Sequence, residues 1–222
     1  MQRFVAVGVL LARLVDHFRQ PLVVFLVGDV NHFEVHVGRR FGKAQPGELL
    51  VQLRVFVGRS SAMVSTNNLS RDAISTLAER AVAIAASAPE DPHAGLAERS
   101  QLATAWPDLD LSDTQELEID RLVLLAREAE DAARATDGIT NSLGAGSNAT
   151  RSRFVLLTSQ GFSSGYETTH YSIACNAVAG SGTAMQRDHD YTIARHFADL
   201  EPPELIGRRA AERAVRMTGA AR

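Results

Sequence analysis

Along the 222-residue chain, apolar and polar positions alternate with two different periods, and the change of period divides it. Val5, Val9, Ala12 and Val15 are spaced for a helix over residues 4–18, closed by Pro21. Residues 22–27 form an apolar run that fits a buried strand. Phe33, Val35 and Val37 then alternate, ahead of a basic turn at Arg39-Arg40 bounded by Gly38 and Gly42. Residues 49–57 and 62–65 read as a hairpin around Gly58-Arg59-Ser60. Ser70 opens a helix by capping its free amides, and Leu69 and Ile74 occupy the positions of a hydrophobic staple. Ile74, Leu77, Ala78, Ala81, Val82 and Ala85 form its apolar stripe, and Pro89 ends it.

Residues 89–111 carry three prolines and no period, as a connector would, with Trp106 expected to pin it to a neighbouring surface. Ser112 and Gln115 have the spacing of a capping box, which predicts a long helix over residues 112–136. Leu117, Leu124, Leu125 and Ala129 lie near one face of it. The other face, with Glu116, Glu118, Asp120, Glu128, Glu130 and Asp131, reads as solvated. From Ile139 the period becomes two. Strands are expected over residues 151–159, 166–179 and 185–193, with turns at Ser163-Ser164-Gly165 and Gly180-Ser181-Gly182. Short connections make these antiparallel neighbours. Pro202-Pro203 begins a last helix, with Leu205, Ile206, Ala210, Ala214 and Met217 facing inward.

The fold class is therefore α+β: an N-terminal β-hairpin/helix unit, a long connecting helix, an antiparallel β-meander and a C-terminal helix. The domains fall at 1–88 and at 112–222, joined by the connector over 89–111. A net charge of −3 gives no electrostatic reason for direct binding to nucleic acid or to an anionic membrane. No apolar run reaches the roughly 18 residues of a spanning helix. One cysteine, Cys175, suits a reducing compartment, so a cytoplasmic location is expected.

Candidate chemistry is concentrated in residues 186–196, where Gln186, Arg187, Asp188, His189, Asp190, Tyr191, Arg195 and His196 fall together. Zinc would need side chains converging at about 2 Å. In a strand His189 points away from Asp188 and Asp190, so a polar network or subunit contact is the expectation. Gly161-Phe162-Ser163-Ser164-Gly165 has the form of a nucleophile elbow, but the stretch after it alternates like a strand where the elbow needs a helix. Cys175 and His170 are five apart and would face opposite sides of one strand, which makes Cys175 a small buried residue.

One resemblance extends this reading. Gly161-Phe162, Met185-Gln186-Arg187-Asp188, Tyr191, Ala194-Arg195-His196 and Gly207-Arg208-Arg209-Ala210-Ala211-Glu212-Arg213 together are similar to the middle domain of the TldD/PmbA family. The stretch LRVFVGRSSAMVSTNNLS and the DPHAGLAE segment resemble its first domain. The family comprises zinc metallopeptidases that process peptides, also described as modulators of DNA gyrase, and its members work as pairs in which one subunit carries the zinc.

This chain resembles the PmbA (TldE) side, which does not supply the metal ligands. The resemblance covers roughly Leu53 to the end, leaves residues 1–52 divergent, and implies a truncated member without the family's C-terminal domain. No catalytic and no metal-binding residue is carried over, no cofactor is expected in this chain, and zinc is expected in a TldD-like partner subunit. The expected partners are that subunit and a peptide substrate. Gln186, Arg187, Asp188, Tyr191, Arg195 and His196 are the residues expected to face substrate or partner. The alternative is a stand-alone module that holds extended peptides on a sheet edge.

Overall fold

The computed structural model describes residues 23–29, 34–41, 49–68 and 70–219, with side chains from residue 51 onward. The helix expected over residues 4–18 and the staple residue Leu69 lie outside the described residues. The chain forms two compact units: Met1–Leu109 with Arg151–Glu167, and Asp110–Thr150 with Thr168–Arg222.

The first unit is built on a hairpin and a helix. Strands β1 (Val23–Asp29) and β2 (Glu34–Phe41) precede the hairpin strands β3 (Leu49–Val57) and β4 (Ser60–Thr66). The basic turn expected at Arg39-Arg40 is not there: β2 runs on to Phe41 and pairs antiparallel with β5 (Ile139–Thr158). β1 lies parallel to β3, with Val24 opposite Val51 and Asp29 opposite Phe56. The hairpin register pairs Val57 with Ser60. Gly58, at the first turn position with φ 61°, supplies the backbone that a two-residue II′-type turn needs.

Alternation sends Val51, Leu53 and Val55 inward from β3. They meet Ile74, Leu77, Ala78 and Ala81 of α1 (Arg71–Ser87), with Val155 and Leu157 of β5 against the cluster. Ser70 caps α1 as expected, its hydroxyl accepting from the Ala73 N–H at 3.3 Å. The Ser60 hydroxyl donates to the Ala88 carbonyl at 2.9 Å and so ties the helix end to the hairpin. Trp106 does not pin the connector; it is 57% exposed.

The second unit is an antiparallel sheet covered on one face by two helices. Consecutive strands β5, β6 (Ser163–Ala179) and β7 (Gln186–Ala194) are neighbours in it. The period-two pattern of β6 is realised: Tyr171, Ile173, Cys175 and Ala177 are buried. Ile173, Cys175 and Ala177 pack under α2 (Ile119–Arg134) through Leu125, Ala129 and Ala133, and under α3 (Pro203–Thr218) through Ile206, Ala210, Ala211 and Ala214, while the Tyr171 ring meets Phe197.

Several expectations are corrected. The helix expected from Ser112 starts at Ile119, because residues 111–115 give their hydrogen bonds to β6 and to the turn after β7. Leu124 faces solvent at 45% exposure, while Leu125 takes the inward position. Strand β5 begins at Ile139. The hairpin turn between β5 and β6 sits at residues 159–162, where Thr158 and Phe162 bond across it and Gly161 has φ 92°; Ser163 already belongs to β6. Met217 is exposed, and Gly207 and Ala211 join the inward face of α3. Among the described residues no helix is long and apolar enough to cross a membrane.

Candidate functional site

Strand alternation divides the polar segment of β7 into two rows. Gln186, Asp188, Asp190 and Thr192 turn toward the helix-covered side, and Asp190 and Thr192 are buried. Arg187, His189, Tyr191 and Ile193 form the outer row, with Tyr191 and Ile193 each 55% exposed. The His189 and Tyr191 rings lie nearly parallel, 6.3 Å apart. Asp188 accepts from the His189 N–H at 2.7 Å. Arg195 and His196 follow the strand, roughly 30 Å of extended chain from Gln186. The six candidate residues are therefore close in sequence and spread along a strand and both of its faces.

Asp190, for which a polar network or subunit contact is the expectation from sequence, is the hub of the inner row. Its Oδ2 accepts from Arg209 Nε at 2.6 Å, and its Oδ1 lies 3.1 Å from Arg213. Arg209 also makes a bidentate pair with Glu201, at 3.0 and 2.7 Å. Glu201 and Asp190 hold the Arg209 guanidinium above its usual range and so always charged. This network fastens α3 to β7. Asp190→Ala is expected to lower the melting temperature by about 5–10 °C, because it removes a buried carboxylate from two guanidinium groups. Asp188→Ala should shift it by no more than about 2 °C. Thermal unfolding followed by circular dichroism compares the two.

At the other end of β7 a second cluster forms around Thr169, which is 1% exposed. Its N–H donates to the Leu111 carbonyl at 3.0 Å, and its hydroxyl accepts from the Asp113 N–H at 2.8 Å and donates to the Arg195 carbonyl at 2.6 Å. The Tyr171 hydroxyl donates to the Gln115 carbonyl at 2.6 Å. The Arg195 guanidinium donates to the Thr168 hydroxyl and, at 3.1 Å, to the Thr169 carbonyl. Asp113 accepts from the Phe197 N–H at 2.8 Å and the Gln115 N–H at 2.9 Å; these two bonds, Phe197 first, hold its carboxyl below the usual carboxylate range. His196 Nε2 lies 3.0 Å from the Asp110 carbonyl, which raises the imidazole above its usual value, helped by the charges of Asp110, Asp113 and Asp199.

The other candidates are equally committed. Cys175 is fully buried with its sulfur 3.8 Å from the Ala129 carbonyl, and burial pushes its thiol up, away from the thiolate a nucleophile needs. Ser163 opens a strand that continues to Ala179, so the strand–turn–helix of a nucleophile elbow does not form. Among the described residues no three His, Cys, Asp or Glu side chains gather as a metal site. Sequence reasoning missed Thr169, Tyr171 and Asp113, whose roles rest on contacts far apart in sequence. Arg209 and Arg213 lay in the segment that carried the resemblance and could have been singled out from it.

These features define an α+β protein that joins a hairpin–helix unit to a helix-backed antiparallel sheet. Residues 112–218 match the PmbA/TldA metallopeptidase central domain, and residues 48–85 match PmbA/TldA metallopeptidase domain 1. The chain belongs to the PmbA/TldD family.

Among curated proteins it is 34% identical to the metalloprotease PmbA homolog of Haemophilus influenzae, over 73% of this chain and 36% of that protein. It is 33% identical to the metalloprotease PmbA of Escherichia coli O157:H7, over 82% of this chain and 41% of that protein. The match thus spans well under half the length of these relatives. Among solved structures, a protein named as a candidate modulator of DNA gyrase from Bacteroides thetaiotaomicron superposes with a TM-score of 0.70 at 23% identity, over 83% of this chain and 44% of that one. TldE from Thermococcus kodakarensis superposes with a TM-score of 0.63 at 18% identity, over 84% and 44%.

Proposed function

We propose that this chain is a non-catalytic part of a zinc metallopeptidase system for peptides or unfolded proteins, in which it associates with a zinc-bearing TldD-like subunit and helps to enclose the substrate. The observation that carries this reading is the engagement of three would-be ligands on β7 and after it, Asp190, Asp188 and His196. Asp190 is bound to Arg209 and Arg213, Asp188 to the His189 backbone, and His196 to Asp110. Family membership supplies the reaction class, and the single cysteine supports a cytoplasmic setting. Arg187, Tyr191 and Ile193, exposed along the outer row, are the side chains offered to a partner or a peptide.

A pull-down with a zinc-bearing relative, followed by a casein or unfolded-peptide assay, tests the reading. Turnover is expected with the pair and not with this chain alone. Zinc-dependent turnover by the purified chain alone would refute it. A second reading, a module that adds an extended peptide to a sheet edge, is favoured by β7 lying at the end of the strand order. A peptide-array screen separates the two, since selective capture of extended peptides by the chain alone supports only the second.

A further inference from the structure

Residues 110–118 lie along the second unit without forming a helix or a strand of their own, and hydrogen bonds to β6 and to the turn after β7 are among the contacts that hold them. Thr169 binds the Leu111 carbonyl and the Asp113 N–H, Tyr171 binds the Gln115 carbonyl, Phe197 binds the Asp113 carboxylate and His196 binds the Asp110 carbonyl. Such point attachments can be undone without unfolding the sheet beneath, because the core under α2 and α3 uses none of these residues except Tyr171 and Phe197. Asp110 holds a φ of 49°, in the left-handed region that aspartate and asparagine visit more readily than other non-glycine residues, and it marks the bend where His196 meets the segment.

We propose that residues 110–118 are a releasable latch, closed by the charged imidazolium of His196 on Asp110 and loosened when that charge is lost. The proposal does not depend on the peptidase reading. Two anions of the latch face the ring: the Asp110 carboxylate, 3.3 Å from Nε2, and Asp113. A third, Asp199, comes from the turn after β7. The nearest cation in sequence, Arg195, is turned into Thr168 and Thr169. Neutral His196 still donates to the Asp110 carbonyl, so losing the charge weakens the hold and does not abolish it.

The signs set a window. The folded-state value of His196 is raised, so its contribution is complete below about pH 6.5 and is lost as pH rises through the raised value. Asp113 is lowered, so its contribution is present above about pH 4 and is lost as pH falls through the lowered value. The latch is tightest between these limits. It is the segment by which the connector enters the second unit, so its release lengthens the free chain at that point.

Amide hydrogen exchange on the full chain tests this, corrected for the intrinsic rate at each pH. The reporters are the N–H groups of Asp113, Thr169 and Phe197, and those of Ile173 and Cys175 in β6 serve as controls. Protection of the reporters is expected to fall about two- to fivefold between about pH 5.5 and pH 8.5, with the controls unchanged. His196→Gln, which keeps a neutral donor, should remove the dependence. His196→Lys, charged throughout, should hold protection at the higher pH. Reporters that do not change with pH, or a His196→Gln chain with the same slope as the parent, would overturn the proposal.

Discussion

Gly207→Ala is expected to destabilise the second unit by about 3 kcal/mol, and Gly207→Val by more. A Cβ built on Gly207 would lie 1.9 Å from the Ala129 carbonyl oxygen and 3.0 Å from the Ala133 nitrogen. Both are backbone atoms of α2, so no side chain can swing aside; the helices themselves must separate. Small residues around the crossing, with Ala129 and Ala133 on one helix and Ala210, Ala211 and Ala214 on the other, all fully buried, hold the helices close.

Helix propensity works in the opposite direction. Alanine in place of an interior glycine favours the helix by about 1 kcal/mol, so an unobstructed position would gain stability. The two effects have opposite signs and the steric one is the larger. Urea unfolding followed by circular dichroism gives the net value, and exchange of the α2 and α3 amides localises it. A Gly207→Ala chain more stable than the parent would show that the helices do not approach this closely.

The parts of this architecture that the sequence reveals are those set by local periodicity. The stripe from Ile74 to Ala85, the Ser70 cap and the alternation of Tyr171, Ile173 and Cys175 each follow from neighbours on one element. Residues 112–118 mislead because the same chemistry serves two ends. Ser112 and Gln115 look like a capping box, yet Asp113 spends its carboxylate on Gln115 two residues on and on Phe197, 84 positions away, and the long-range bond wins over the local helix start. Residues 139–150, rich in Gly, Asn and Ser, have little intrinsic strand preference. They are strand because β6 receives them, with the Thr140 and Ser142 hydroxyls bonded to its carbonyls. The polar segment 186–196 is legible as a cluster and illegible as a site: period two splits it between two faces, and long-range Arg209, Arg213 and Asp110 decide what Asp190 and His196 do.

Thr169→Val is expected to cost about 2–3 kcal/mol, although the change keeps the shape of a residue that is 1% exposed. Packing is nearly conserved, so the loss isolates the hydroxyl. That hydroxyl accepts from the Asp113 N–H and donates to the Arg195 carbonyl, two bonds at 2.8 and 2.6 Å in a place where water cannot readily substitute. Thr169→Ser gives the complementary change: it keeps both bonds and deletes a methyl group, for about 1 kcal/mol. The order parent, Ser, Val in stability is therefore expected from urea unfolding. In the Val chain, exchange at Phe197 should rise together with exchange at Asp113, because both amides depend on residues 110–118 staying in place. If valine is tolerated better than serine, packing and not hydrogen bonding holds this segment, and Thr169 is a filler of space.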